Sequence, residues 1–160
     1  MELYLIRHAH ALPGEPDEKR PLSEEGRRAF AQVVRGLEAL GVRFDRVYTS
    51  PLDRAKETAA FLLPLAGHLE ETPLLATFPS PDLLKAIKGR RVALVGHEPW
   101  LSSLAAWLVL GIPLEGRIQI KKGGVALLKG RLRPGGMVLI SLSPPRFFRA
   151  LQEEEKGQKA

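Results

Sequence analysis

Short apolar runs that end abruptly at reactive side chains constrain the fold of this chain most. The first run covers residues 3–6 and ends in the pair Arg7 and His8, and another covers residues 92–95 and is followed two positions later by His97. Nearly continuous apolar strands are typical of a parallel sheet that is covered on both faces. Side chains beyond the carboxyl ends of such strands gather in one crevice. The sequence therefore predicts an α/β sheet with these three side chains at one end.

Amphipathic helices separate the predicted strands. The longest begins after Ser23, a favourable N-cap residue, and runs to about residue 40 with apolar residues at helical spacing. A short strand over residues 47–49 leads into a second helix that carries Arg54 in its first turn. An apolar helix is predicted over residues 100–110. This alternation favours helices on both faces of the sheet.

The middle and the end of the chain give weaker patterns. Residues 68–81 are rich in Pro, Glu and Thr and are predicted to be irregular, with at most a short extended piece at residues 74–75. A brief helix over residues 82–88, capped at Ser80, follows. Three further strands are predicted, over residues 118–120, 124–129 and 137–142. Because a tight hairpin joins the last two, the sheet is expected to be antiparallel at that edge.

The predicted architecture is a three-layer α/β/α sandwich with a mostly parallel central sheet and an antiparallel edge hairpin. The 160 residues, 44% hydrophobic and 26% charged, are sufficient for one globular domain with a sizeable core. We expect this domain over residues 1–150 and a frayed, charged tail over residues 151–160.

Composition narrows the possible partners. The formal net charge of +6 favours an acidic or phosphorylated partner, although a solvated basic surface gives the same excess. Nucleic acid is not expected, because no basic run is interleaved with aromatic residues. The absence of cysteine excludes disulfides, thiolate catalysis and Cys-ligated metals. No signal-peptide pattern and no long apolar run occur, so a cytoplasmic protein without membrane contact is predicted.

The residues at the predicted strand ends favour phosphoryl chemistry. An Arg guanidinium matches phosphate oxygens, and a neutral imidazole supplies a nitrogen nucleophile or a proton carrier. Arg7 with His8, Arg54 and His97 come from three different strand ends. Taken alone, Arg7 and His8 would also fit a surface Arg beside a hydrogen-bonded His. Only the convergence of all four residues favours a functional site.

Four segments, in order, resemble the histidine phosphatase superfamily, also called the phosphoglycerate mutase-like clan. They are residues 5–9 (LIRHA), 20–26 (RPLSEEG), 47–59 (VYTSPLDRAKETA) and 95–99 (VGHEP). The short length and the Arg-Pro-Leu-Ser loop are most similar to the SixA-type phosphohistidine phosphatases. The resemblance implies that His8 is the nucleophile and becomes a transient phosphohistidine. It also implies that Arg7, Arg54 and His97 hold the equatorial oxygens, without a metal or cofactor.

The remaining polar residues of the motifs have two interpretations each. Arg20 is a candidate substrate contact at the rim or an exposed loop residue, and Ser50 is a candidate hydroxyl donor or a strand-to-helix cap. His10, two residues beyond His8, also fits the His-x-His pattern of metal-dependent amidohydrolases, but those need further ligands and a larger barrel. We therefore predict that His10 is a loop residue at the edge of the site and that His68 is structural or exposed.

The segment in which many members of the family place a catalytic Glu carries no carboxylate here. Residues 72–77 read Thr-Pro-Leu-Leu-Ala-Thr, so ester hydrolysis lacks its proton donor at that place. A phosphohistidine makes less demand, since its leaving imidazole can be protonated on the other nitrogen before the P–N bond breaks. Four acids nearby in sequence are predicted to be solvated rather than displaced proton donors: Glu70, Glu71, Asp82 and Glu98.

The predicted function is that of a metal-independent phosphatase that hydrolyses protein-borne phosphohistidine through a phosphoenzyme at His8. Its partner is expected to be a phosphorylated protein or a small phosphate compound, and the site is expected to be open because no long insertion could form a lid. One alternative is a small-molecule phosphomonoesterase of the same superfamily, with a displaced acid such as Glu71. The other is a non-catalytic phosphate-binding module.

Overall fold

One sheet of six strands organises the protein over the residues that the computed structural model describes, 1–159, with side chains as far as residue 152. The strands are β1 (Glu2–Arg7), β2 (Arg46–Thr49), β3 (Leu69–Glu71), β4 (Arg91–Gly96), β5 (Val125–Gly130) and β6 (Met137–Ser143). The helices are α1 (Glu24–Ala39), α2 (Asp53–Ala60), α3 (Pro81–Ala86), α4 (Trp100–Leu110) and α5 (Pro145–Lys159). Short 3₁₀ helices occupy Asp17–Lys19, Leu63–Leu65 and Pro73–Leu75. Within the described residues, no helix is both long and apolar enough to cross a membrane.

The strand order β3-β2-β4-β1-β5-β6 puts β1 near the centre of the sheet. Strands β1 to β4 are parallel, and β5 and β6 run antiparallel at one edge, as predicted. In the register between β1 and β4, Arg7 lies opposite Gly96. The next backbone N–H, that of His8, donates to the Gly96 carbonyl at 3.1 Å. The pairing therefore brings the residues after β1 and β4 side by side.

Alternating residues of β1 pack against different helical layers. Tyr4 and Ile6 belong to the core formed with α1, α2 and α5. Leu3 and Leu5 belong to the core formed with α3 and α4. The strand is buried on both faces because each face is covered by helices. This arrangement confirms the predicted three-layer α/β/α sandwich.

The start of α1 is fixed to the loop that follows β1. Ser23 caps the helix by accepting the Gly26 N–H at 3.0 Å, and its own N–H donates to the His10 carbonyl at 3.0 Å. A Cβ added at Gly26 would overlap that same carbonyl oxygen. Glycine is therefore required here, because the helix approaches the loop backbone closely.

Two strand predictions are wrong. Residues 69–71 form β3, whereas an irregular segment was predicted, and residues 74–75 lie in a 3₁₀ helix. Strand β3 is short and exposed, with a single partner strand, so its sequence carries no apolar signal. Residues 118–120 do not form the predicted strand. The backbone of Ile120 instead bonds to side chains, accepting from Arg7 and donating to Glu98.

The predicted end of the domain at residue 150 and the predicted frayed tail over residues 151–160 fall inside α5. The backbone of this helix continues to Lys159, so the tail is helical that far, and Ala160 lies outside the described residues. Ahead of the tail, Phe148 of α5 is buried against the α1 side of the core.

Candidate active site

The predicted site residues lie together at the carboxyl ends of three neighbouring strands. Arg7 ends β1 and His8 follows it, Ser50 follows β2, and His97 follows β4. The rings of His8 and His97 have centroids 5.2 Å apart. Arg54, in the first turn of α2, is buried and close enough for its charge to act on both rings. We call this group of five residues the candidate active site.

The His8 ring is held in one tautomer. Its Nδ1 lies 2.7 Å from the Ala9 carbonyl oxygen, and because a carbonyl only accepts, Nδ1 carries the proton. Nε2 then carries the lone pair. The pKa of His8 is lowered to about 4, chiefly by burial and in addition by the charges of Arg54 and Arg7. At neutral pH, His8 is thus an uncharged imidazole that can act as a nucleophile through Nε2.

A threonine that sequence reasoning missed ties the backbone after His8 to α2. The Thr58 hydroxyl accepts the Ala9 N–H at 3.0 Å and donates to the Arg54 carbonyl at 2.7 Å. Thr58 is fully buried. Because one hydroxyl bonds both backbones, it fixes the strand end relative to the helix turn that carries Arg54.

His97 interacts directly with Ser50. The His97 Nε2 lies 2.7 Å from the Ser50 hydroxyl oxygen, which also accepts the Leu52 N–H at 3.2 Å. The Ser50 proton can therefore be donated to Nε2, which leaves the ring proton on Nδ1, an atom without a partner among the described residues. The pKa of His97 is lowered to about 3, chiefly by burial and in addition by the neighbouring His8 and Arg54. Without phosphate, His97 is a neutral hydrogen-bonding group rather than a cation.

The loop between β1 and α1 places a carboxylate against Arg54. The Arg54 guanidinium donates to the Asp17 carbonyl at 2.9 Å and to its carboxylate at 3.2 Å. Arg20 donates to the same carboxylate at 3.1 Å and to the Leu12 carbonyl at 2.8 Å. These contacts, of Arg20 first and Arg54 second, hold the pKa of Asp17 below its ordinary value. Arg20 thus stabilises the loop. Asp17, which sequence reasoning missed, forms an ion pair with Arg54, the cation expected to bind phosphate.

Arg7 lines a cavity of about 280 Å³ at the other side of the site. One guanidinium nitrogen donates to the Ile120 carbonyl at 3.2 Å, while its buried Nε has no partner among the described residues. The turn just beyond Ile120 is fixed beside the end of β1, because the Gly123 N–H donates to the carbonyls of Arg7 and His8 at 3.0 and 3.1 Å. Lys122 of this turn lowers the pKa of His8 through its charge. Its place in the site could not be inferred from the sequence, since it depends on a contact more than a hundred residues away.

Apolar side chains line the position where the family places an acid. Leu74, Leu75 and Trp100 line a narrow cavity together with His97, and Leu75 is buried. The Trp100 and His97 rings meet edge to face with centroids 6.0 Å apart. On this side, His97 therefore faces a hydrocarbon wall, and no carboxylate is among the residues that line the cavity.

Among the four acids weighed from the sequence, Glu98 differs from the expectation of a solvated group. It is half-buried, lines the same cavity as Arg7, and accepts the N–H groups of Ser102 at 2.6 Å and Ile120 at 3.3 Å. Burial raises the pKa of Glu98. The other three are exposed, as predicted: Glu70, Glu71 and Asp82.

The two remaining histidines lie outside this group. His10 Nδ1 lies 2.7 Å from the Ser23 hydroxyl at the start of α1. His68 is exposed, with Nε2 3.7 Å from a carboxylate oxygen of Glu70. Over the part of the chain whose side chains are described, no three His, Cys, Asp or Glu side chains converge as metal ligands.

Sequence comparison identifies relatives of this chain. The model of the histidine phosphatase superfamily, branch 1, matches residues 3–76. A protein of Picosynechococcus sp., described as uncharacterised, is 30% identical over 143 residues, which cover 81% of this chain and 85% of that protein.

Solved structures share the fold. The protein histidine phosphatase SixA, complexed with tungstate, superposes with a TM-score of 0.75 at 22% identity, covering 92% of this chain and 99% of SixA. The alpha-ribazole phosphatase of Shigella flexneri gives a TM-score of 0.70 at 20% identity, covering 91% and 97%. At these identities the likeness concerns the fold, whereas the family model matches the sequence that carries Arg7, His8 and Arg54. The chain is therefore a phosphatase of the histidine phosphatase superfamily.

Proposed function

We propose that the protein hydrolyses phosphohistidine borne on another protein, through a covalent intermediate at His8. The His8 Nε2 lone pair attacks phosphorus, the P–N bond of the substrate breaks, and its electron pair stays on the leaving imidazole. Water then attacks the phosphorylated His8 and releases inorganic phosphate. Arg7, Arg54 and His97 stabilise the charge on the phosphoryl oxygens in both steps. No metal or cofactor enters this scheme.

The hydrocarbon wall beside His97 is the observation that carries this proposal. An alkyl ester needs a proton donor for its alkoxide, a contribution of about 10²–10⁴-fold. Leu74 and Leu75 cannot supply a proton. A leaving imidazole takes its proton from solvent before the bond breaks, so the missing acid costs little. The similarity in fold to SixA supports the same substrate class.

A series of leaving groups tests the proposal. The kcat/KM for a phosphohistidine peptide and for aryl phosphates should exceed that for phosphoserine or sugar phosphates by about the 10²–10⁴-fold that acid catalysis otherwise contributes. Equal values across the series would contradict the proposal and would favour a small-molecule phosphomonoesterase.

The environment of Glu98 favours this second function, as does the similarity in fold to an alpha-ribazole phosphatase. The raised pKa of Glu98 and its position beside Arg7 suit a displaced proton donor, although two backbone N–H groups already bond its oxygens. Glu98→Gln, with the exposed Glu71→Gln as the matched variant, separates the two functions. Selective loss of alkyl phosphate turnover in either variant would identify that residue as the acid. Under our proposal, neither variant loses a selective activity.

A further inference from the structure

A second, larger cleft lies beside the candidate active site. It has a volume of about 590 Å³ and lies between residues 119–121 and the junction of β6 with α5. Strand β6 ends here at Ser143, opposite Val125, which in turn pairs with Ile6 of β1. The cleft therefore lies at the same end of the sheet as His8. We call it the side cleft.

The side cleft adjoins the cavity that Arg7 of the candidate active site lines. Gln119 and Lys121 line both the side cleft and the smaller cavity that Arg7 lines. The next residues of this segment lie beside the end of β1, where the Gly123 N–H bonds to the carbonyls of Arg7 and His8. A ligand that presents its phosphoryl group to His8 can therefore reach the side cleft by crossing the exposed side chain of Lys121.

The walls of the side cleft are cationic. Lys121, Arg146 and Arg149 line it, and all three are exposed. Among the side chains described, no carboxylate lies within salt-bridge distance of any of them, and Arg149 bonds only the neutral amide of Gln32, at 3.2 Å. Within the part of the chain whose side chains are described, these positive charges therefore face no carboxylate, and together they attract an anionic partner.

The apolar part of the cleft indicates the size of that partner. Leu142, Pro144 and Pro145 line the cleft together with the cationic side chains, and Leu142 is 44% exposed. A small anion needs only the charges, whereas a protein segment contacts charged and apolar walls together. Because charge complementarity requires acidic residues, the occupant that fits is an acidic segment of a protein.

We propose that the side cleft binds acidic residues of the phosphoprotein substrate that flank its phosphohistidine. The cleft thereby selects the protein from which His8 takes the phosphoryl group. This inference rests on the proposed function, because it assumes a protein-borne substrate.

Two phosphohistidine peptides of equal length test it, one with Asp and Glu around the His and one with Asn and Gln at the same positions. The wild-type protein should show kcat/KM about tenfold higher for the acidic peptide, a preference that falls as salt is raised. The double variant Lys121→Glu with Arg146→Glu should lose or reverse the preference. Arg131→Glu with Arg133→Glu, in the exposed β5–β6 turn at the opposite end of the sheet, is the matched control and should retain it.

The preference is a ratio within each protein, so a variant that folds poorly lowers both values and leaves it unchanged. Equal kcat/KM for the two peptides in the wild-type protein, or a preference that persists in the Lys121→Glu, Arg146→Glu variant, overturns the inference. A third result would also overturn the inference: citrate inhibits the wild-type protein more strongly than that variant, while the wild-type protein shows no preference between the peptides. The cleft would then bind small anions rather than an acidic protein segment. If neither peptide is hydrolysed, the proposed function fails instead. Fluorescence anisotropy with the unphosphorylated acidic peptide, labelled with fluorescein, then still decides whether the cleft binds acidic segments.

Discussion

At the scale of single residues, the environments of His8 and His97 assign them different parts in one reaction. His8 has a free Nε2 lone pair because its Nδ1 proton goes to the Ala9 carbonyl. His97 bonds Ser50 and leaves its Nδ1 without a protein partner among the described residues. The first arrangement suits a nucleophile, and the second suits a group that stabilises charge.

Alanine substitutions should separate these parts. His8→Ala should remove turnover and the phosphoenzyme together, because the attacking atom is lost. His97→Ala should cost about 10²–10³-fold in kcat and still form phosphoenzyme, as expected for the loss of one stabilising group. An alkaline quench with a radiolabelled phosphohistidine substrate measures the intermediate. His10→Ala, which changes a ring bonded to Ser23, is the control and should retain turnover. Equal residual activity in the first two variants would contradict the assignment.

The sequence predicted the site residues that stand directly at strand ends and missed those that arrive from distant loops. Arg7, His8 and His97 could be recognised because an apolar run stops just before each of them. Asp17 and Lys122 have no such signal, since each reaches the site through a loop fixed by long-range hydrogen bonds. The local pattern of apolar residues predicts where a strand ends, but it does not predict which distant loop packs against that end.

At the scale of elements, the loop between β1 and α1 competes with the ligand. Asp17 bonds Arg54 through both its carbonyl and its carboxylate. A phosphoryl group that binds Arg54 must displace or share this carboxylate. The loop therefore weakens anion binding at rest, while Arg20 holds it in place from the other side.

Asp17→Asn should consequently strengthen phosphate binding. Because the Asp17 side chain is exposed, we assign its ion pair with Arg54 the about 0.2–1 kcal/mol of a solvent-screened pair, so the inhibition constant of inorganic phosphate should fall by up to about fivefold. Glu18→Gln removes the same charge from the next residue of the loop, whose side chain forms no ion pair in the described part of the chain, and should leave the constant nearly unchanged. Competitive inhibition of aryl phosphate turnover provides the measurement. A weaker inhibition in Asp17→Asn would show that Asp17 orders Arg54 for phosphate rather than competing with it.

Helix α1 offers a second test at this scale. In an ordinary helix, Gly→Ala stabilises by up to about 1 kcal/mol through helix propensity. At Gly26 the added Cβ would overlap the His10 carbonyl oxygen, so Gly26→Ala should instead destabilise by about 1–3 kcal/mol. Urea unfolding measures the difference, and Arg28→Ala, exposed on the same helix, is the control. Stabilisation by Gly26→Ala would mean that α1 can move away from the loop at little cost.

The predicted elements were accurate where an apolar run marks them in the sequence. Strands β1, β4, β5 and β6 and helix α4 were predicted within one residue at each end, although β6 is largely exposed. Strand β3 was missed because an exposed edge strand need not be apolar. Residues 118–120 resembled a strand in the sequence, and Ile120 is buried. Its backbone, however, forms hydrogen bonds with side chains rather than with a neighbouring strand.

At the scale of the whole molecule, two imidazoles buried in their neutral form couple the stability of the fold to pH. The pKa of His8 is lowered to about 4 and that of His97 to about 3, in both cases chiefly by burial. An unfolded chain binds protons at these positions below about pH 6.5, the ordinary value for His. The folded protein does not bind them until the pH is far lower. The contribution of these two neutral rings to the free energy of unfolding is thus fully present above pH 6.5 and is lost as the pH falls toward 4.

The unfolding free energy should therefore fall between pH 6.5 and 5, by at most about 1.4 kcal/mol per pH unit for each of the two groups. His97→Asn removes one of them, so its unfolding free energy should fall less steeply over the same interval, whatever its value at pH 7. Urea unfolding at pH 7, 6 and 5 for both proteins gives the two slopes. Equal slopes would mean that His97 already accepts a proton in the folded protein near its ordinary pKa. In that case His97 would meet the phosphoryl group as a cation, and the Ser50 hydroxyl would accept its proton instead of donating one.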